Sequence, residues 1–234
     1  LCSSCKRIMV IDDLADRQHD CDLLLDQNYG STAERYRALV SADCIQRHGP
    51  EYAFLKPAYA DGRTKLPTRD GQVHRVLIYF GGGADAANLT RLAVQAFQAP
   101  ELAHIELDIV VGAAYAHQSL LEELVAQRGN ATIHRQLPDL ADFMAKADLA
   151  IGAGGATTWE RCCMGLPSVV ISIAENQQPA CEKLSVEKLI DYLSHVDQVT
   201  FDLIRDRVLW FVKNSDLLLD LGERGMKLVD GKGV

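Results

Sequence analysis

The chain has 234 residues, 48% of them hydrophobic, and a mean hydropathy of −0.04, which supplies the apolar surface for one or two domains with a sizeable core and excludes a disordered chain. Its 32 acidic against 24 basic residues give a net charge of −8, excluding general affinity for nucleic acid or anionic membrane, so any phosphate it binds must be held by local groups. No apolar run is long enough to span a bilayer and no basic-then-apolar leader opens the sequence, so a cytoplasmic protein is expected.

In chain order, residues 8–11 read as a short buried strand ending at Asp12 and Asp13. Residues 20–26 form a second apolar run that ends in Asp26, Gln27 and Asn28. Between them Arg17, His19 and Asp20 make a compact charged turn, either a fixed ion-pair corner or part of a site. Residues 49–57 read as a turn and a third short strand stopped by Pro57. Residues 59–72 are mostly polar, include Gly62, Pro67 and Gly71, and are expected to be a linker. This divides the chain into residues 1–66, the end of one domain, and 67–234, a second. The first residue is Leu1 and an apolar run follows within seven residues, so a segment upstream is expected.

Beyond the linker the pattern alternates regularly. Strands are expected at 73–80, 105–111, 131–134, 148–151 and 168–173, with helices at 85–98, 117–127, 139–146 and 156–164 between them. That alternation predicts an α/β fold, a parallel sheet with helices on both faces, and the near-continuous Val, Leu and Ile of its strands agree with burial on both sides. After Gln177 a helix is expected to about residue 193, followed by amphipathic helices over 201–214 and 215–227.

Seven cysteines, an odd and scattered set, do not make a disulfide framework; reduced, buried thiols are expected, with Cys162 and Cys163 on an apolar helix face. Cys2 and Cys5 have the spacing of a zinc half-site, but no second pair completes it, and no metal is expected.

The most informative stretch is 151–177. Gly152, Gly154 and Gly155 follow a strand and open a helix, where free backbone N–H groups attract anions and glycine lets a phosphate approach. Thr157 and Thr158 add hydroxyls from the first turn, and Glu160, one turn in, can accept from a ribose diol. The following strand delivers Glu175, Asn176 and Gln177 at its C-terminal end, where open α/β sheets bind ligands. A tight strand-to-helix turn needs glycines with or without a ligand. The polar Glu-Asn-Gln cluster, however, has little structural reason to exist. A second glycine loop, Gly81, Gly82 and Gly83 followed by Ala84 and Asp85, stands after the first strand of the regular region. It matches neither the dinucleotide nor the Walker spacing, so a dehydrogenase is not expected. The two loops together are expected to converge on one ligand.

Taken together, these loops resemble the C-terminal, nucleotide-holding half of GT-B nucleotide-sugar enzymes. Ile11-Asp-Asp-Leu-Ala-Asp-Arg17, His19-Asp-Cys-Asp-Leu-Leu-Leu-Asp-Gln-Asn28 and Gly154-Gly-Ala-Thr-Thr-Trp-Glu160 resemble the UDP-sugar hydrolase family of pseudaminic acid biosynthesis. That family releases UDP from UDP-2,4-diacetamido-2,4,6-trideoxy-β-L-altropyranose. The resemblance implies that Gly82 and Gly83, together with Gly154, Gly155 and Thr157, hold the diphosphate of a UDP-sugar. It further implies that Glu160 takes the ribose hydroxyls, that Asn176 is catalytic with Gln177 beside it, and that Asn28 faces the sugar. No metal or other cofactor and no nucleic-acid or membrane partner is implied, and a monomer is expected. The family's base is a His in an N-terminal glycine-rich loop, with a Tyr from the same half; neither motif occurs here. The chain is therefore expected to supply the UDP-binding half and to be nearly inactive alone. The competing expectations are a glycosyltransferase that hands the sugar to an acceptor and a non-catalytic UDP-sugar binding module.

Overall fold

The computed structural model describes residues 5–233, and within them nine strands form two wholly parallel sheets. The smaller contains β1 (Met9–Ile11), β2 (Leu23–Asp26) and β3 (Ile45–His48) in that order. The larger contains β4 (Arg75–Tyr79), β5 (Glu106–Val111), β6 (Ala131–Arg135), β7 (Leu149–Ala153), β8 (Ser168–Ser172) and β9 (Asp191–His195), in the order β6-β5-β4-β7-β8-β9. Renumbered from β4, this is the doubly wound 3-2-1-4-5-6 order, with its switch point between β4 and β7.

Both faces of the larger sheet are covered, and successive residues serve opposite faces. Val76 and Ile78 enter one apolar cluster with α3 (Leu89–Ala96), α4 (Gln118–Arg128), α8 (Phe201–Val212) and α9 (Ser215–Leu228). Leu77 enters a second, with α2 (Pro57–Arg63), α5 (Ala141–Lys146), α6 (Thr157–Cys163) and α7 (Gln178–Val186). This is why the strands read as unbroken apolar runs.

Four expectations are corrected. The helix expected through 193 stops at Val186, and the polar segment 191–195 is the sixth strand. It is an edge strand, half-buried throughout, so it lacks the apolar signature of its neighbours. The third strand of the small sheet lies at Ile45–His48; the stretch from Pro50 to Tyr52 is a single 3-10 turn. The first strand is not buried: Met9 is 43% and Ile11 54% exposed, because α1 (Ala33–Tyr36) and its loop cover only the opposite face, where Leu24 and Tyr36 pack.

The polar stretch 59–72 is the fourth correction, for it is not a free tether. Its first part lies in α2, whose Tyr59 is buried against α5 and α6. Arg63 donates to the carbonyls of Cys163, Met226 and Val229, at the ends of α6 and α9. Arg69 donates to those of Met144 and Ala147 at the end of α5 and of Met164 and Gly165 beyond α6. The last carbonyls of a helix have no partner within it, and these two guanidiniums supply partners for three helices at once.

Candidate functional site

The crevice at the switch point opens outside the C-terminal ends of β4 and β7, which are neighbours with Tyr79 paired to Gly152. The loop after β4 and the turn after β7 therefore stand side by side. The loop after β5 crosses beneath the first of them so closely that a Cβ on Gly112 would lie 2.1 Å from the carbonyl oxygen of Gly82. Only glycine permits that crossing.

At the turn, Gly155 has φ of 141° and is the residue that redirects the chain into α6. The Gly154 N–H bonds the carbonyl of Ile171, and a Cβ there would meet the Cys181 sulfur at 2.5 Å, so Gly154 packs rather than lines a cavity. The N–H groups of Gly155, Ala156 and Thr157 donate to no acceptor among the described residues. Three adjacent free amides make an anion-binding concavity. The Thr158 hydroxyl does not face it, because it accepts from the buried Arg161 at 3.0 Å. The loop over 81–88 differs from expectation as well. Helix α3 starts at Leu89, not at Asp85, and the Asp85 carboxylate accepts the N–H groups of Leu89 and Thr90 at 2.9 and 2.8 Å. Those helix-start amides are thus already occupied, and what the loop offers a ligand is the backbone of Gly82 and Gly83.

The expected residues divide between two cavities on either side of the first turn of α6. The first, of ≈ 300 Å³, contains Gly82, Thr157 and Glu160, and its floor is the segment 136–140. The second, of ≈ 370 Å³, lies between the ends of β1 and β2 and the turn, and contains Asn28, Gly155, Asn176 and Gln177. Gly83 is exposed beside the first cavity without lining it. A third cavity, of ≈ 360 Å³ by Arg63, Arg69 and Met226, sits at the opposite ends of the strands, and its two guanidiniums are already engaged with carbonyls.

Glu160 and Asp139 are the acids of the first cavity. Burial pushes the Glu160 carboxyl pKa up, against the opposing pull of the Tyr59 hydroxyl and the charges of Arg161 and Lys56. Tyr59 donates to Glu160 and accepts the N–H of Leu140 at 3.2 Å, so one phenol ties α2, the floor segment and α6 together; burial and the Glu160 charge push its own pKa up. Lys56, at the rim, bonds the Pro138 carbonyl. Neither Lys56 nor Tyr59 was expected here from the sequence. Tyr59 comes from the stretch that reads as linker, where its only sign is an aromatic amid polar residues, and Lys56 from the stretch 49–57 that reads as a turn and strand.

In the second cavity Asn176 is exposed and free to meet a ligand, whereas Gln177 is partly spent: its Oε1 accepts the N–H of Ile173 at 3.0 Å and closes the turn after β8. This gives the Glu-Asn-Gln cluster a structural purpose after all. Asp12 and Asp13 line the same cavity. Asp12 is buried with Asp26, the Tyr36 hydroxyl lying 3.0 Å from a carboxylate oxygen of each. Burial tends to raise the Asp12 pKa, but the Ala15 N–H, Tyr36 and His19 outweigh it and leave it lowered. His19 at 3.6 Å and Arg17 at 3.8 Å complete the charged corner, so it is an ion-pair corner whose carboxylate borders a cavity. Among the described residues no histidine lines either cavity, and no group of three or more His, Cys, Asp and Glu side chains is placed to hold a metal ion. Of the Cys2 and Cys5 pair, Cys2 lies outside the described residues and Cys5 is exposed. No described helix is long and apolar enough to cross a membrane.

Comparison with known proteins agrees with this architecture. The chain is 27% identical over 218 residues to the spore coat polysaccharide biosynthesis protein SpsG of Bacillus subtilis, covering 91% of this chain and 62% of that protein. It thus spans less than two thirds of that relative. In structure it is similar to MurG of Acinetobacter baumannii, with a TM-score of 0.62 and 18% identity over 90% of this chain and 64% of that one. It is also similar to Staphylococcus aureus TarM, in a complex with fondaparinux, alpha-GlcNAc-glycerol and UDP, with a TM-score of 0.56 and 10% identity over 88% of this chain and 40% of that one. At these identities the likeness establishes the shared fold, that of GT-B glycosyltransferases. The model of the glycosyltransferase family 28 C-terminal domain matches residues 76–201, more than half of the chain, from β4 to the start of α8. A doubly wound sheet with a glycine-walled crevice at its switch point, matched over that span, makes this chain a member of the glycosyltransferase family 28 C-terminal domain family.

Proposed function

We propose that the chain is the UDP-holding half of an enzyme that hydrolyses a UDP-sugar, of the kind typified by UDP-2,4-diacetamido-2,4,6-trideoxy-β-L-altropyranose, to free sugar and UDP. The observation that carries the reading is the pair of cavities flanking one anion-binding turn, with Glu160 in the first and the amide side chains of Asn28, Asn176 and Gln177 in the second. The uridine ribose lies in the first against Glu160, the diphosphate spans the free amides of 155–157 and the backbone of Gly82 and Gly83, and the sugar enters the second beside Asn176, Gln177 and Asn28. Residues 1–66 belong to an N-terminal domain and 67–234 to the nucleotide-binding domain.

In this reading water attacks the anomeric carbon, the bond to the β-phosphate oxygen breaks, and UDP leaves with the electron pair. Oriented N–H donors at the departing diphosphate contribute a factor on the order of 10² to 10³. A general base contributes roughly 10² to 10⁴. The resemblance assigns that base to a His for which neither cavity has a counterpart, so the chain supplies leaving-group stabilisation alone.

Family membership favours a second reading, transfer of the sugar to an acceptor other than water. Product analysis on the UDP-sugar, with and without an added acceptor, separates the two. Free sugar released in equal amount with UDP is expected once the base is supplied in trans or in the same polypeptide. UDP release that depends wholly on an added acceptor, with a glycoside as product, would replace hydrolysis by transfer.

A further inference from the structure

Arg161 is 2% exposed and lies directly beneath the turn, yet it forms no ion pair among the described residues. Its Nη2 donates to the carbonyl of Ala153 at 2.9 Å and to the hydroxyl of Thr158 at 3.0 Å, and its Nε has no acceptor. The two acceptors bracket the turn: one is the last residue of β7, the other stands in the first turn of α6. A buried charge without an ion-pair partner is costly, and burial accordingly pushes the Arg161 pKa down. The neighbouring Glu160 charge pulls the other way, but no ion pair forms. Glu160 turns to Tyr59, and the neighbouring thiols of Cys162 and Cys181 are pushed up to about 12 and about 11, so both are uncharged at neutral pH. The chain nevertheless makes room for the guanidinium, since a Cβ on Gly152 would lie 2.6 Å from its Nη1.

We propose that Arg161 is a positioning residue whose unpaired charge is reserved for the ligand: it braces both ends of the turn and gains a facing counter-charge when a diphosphate occupies the amides above it. The proposal rests on reading that turn as the diphosphate seat. A merely structural arginine would hold the fold, whereas this one disfavours the empty fold and favours an anion. The experiment compares UDP with uridine, which shares the base and ribose but carries no charge. In Arg161→Met, UDP affinity is expected to fall by about tenfold or more, as for loss of a charge-assisted interaction. Uridine affinity should hold, and the melting temperature should be unchanged or higher. Equal losses for UDP and uridine, or a lower melting temperature with the UDP preference intact, would overturn it. If Arg161→Met does not fold, Arg161→Gln keeps a donor for Ala153 without the charge and should show the same selective loss. Failure of both neutral variants to fold would also count against the proposal, because the charge would then serve the fold. Absence of UDP binding by the unsubstituted protein would instead remove the underlying reading of the turn.

Discussion

Glu160→Gln should bind UDP about tenfold to a hundredfold more weakly while making the folded protein more stable at neutral pH. The affinity loss follows from exchanging a charged acceptor of the ribose hydroxyls for a neutral one, which weakens their hydrogen bonds by about 1.4–2.8 kcal/mol in total, with 1.4 kcal/mol equal to a factor of ten. The stability gain follows from the direction of the pKa shift. The folded-state pKa is raised by burial, so the folded state holds this proton more tightly than the unfolded state, and stability falls as pH rises from the unfolded value of 4.5 through the folded one. Glutamine, isosteric and uncharged, escapes that loss and still accepts from Tyr59. Uridine, which carries no ionising phosphate, reports the same group from the ligand side: its affinity for the unsubstituted protein should weaken as pH falls through the raised pKa, and the variant should show no such dependence. Unchanged UDP affinity in Glu160→Gln refutes the ribose assignment.

Arg69→Met is expected to cost about 3 kcal/mol of stability with UDP affinity of the folded protein unchanged. The guanidinium is largely buried, and its loss strands four carbonyls at the ends of α5 and α6. A buried unsatisfied acceptor costs about 1–3 kcal/mol, and water entering the adjacent cavity of ≈ 360 Å³ recovers part of that. In a chain of this size the melting temperature should drop by roughly 6–12 °C. A drop below about 1 °C would mean that the segment is a tether, as its composition suggests, and not a brace.

These two residues also mark where the sequence is informative and where it is not. Unbroken apolar runs such as those of β4, β7 and β8 are visible because burial on both faces leaves one solution for their side chains. The edge strands β3 and β9 carry Gln46, Arg47, Asp191 and Ser194, and pairing on one side alone imposes no such signature. At the site, the glycines of the turn and Glu160 are visible because backbone approach and a lone acid in a helix have chemical meaning at fixed spacing. The roles of Tyr59, Lys56, Arg63 and Arg69 are not, because each acts on backbone or carboxylate atoms 75 to 166 residues away and leaves no local periodicity. The capture of the α3 amides by Asp85 was equally hidden. An acid just after glycines reads as the first residue of a helix, and only the positive φ of 47° at Asp85 puts its carboxylate under the amides four and five residues on.

The central claim is that both glycine loops hold one diphosphate, with the nucleoside on the Glu160 side of α6. Amide chemical-shift mapping of the labelled protein during a UDP titration tests it most directly. The expected result is a joint, saturable shift of Gly82, Gly83, Gly155 and Thr157 with the floor segment 136–140, leaving Asn176 for ligands that carry the sugar. Shifts confined to the cavity beside Arg63 and Arg69, or no shift at millimolar UDP, would contradict it.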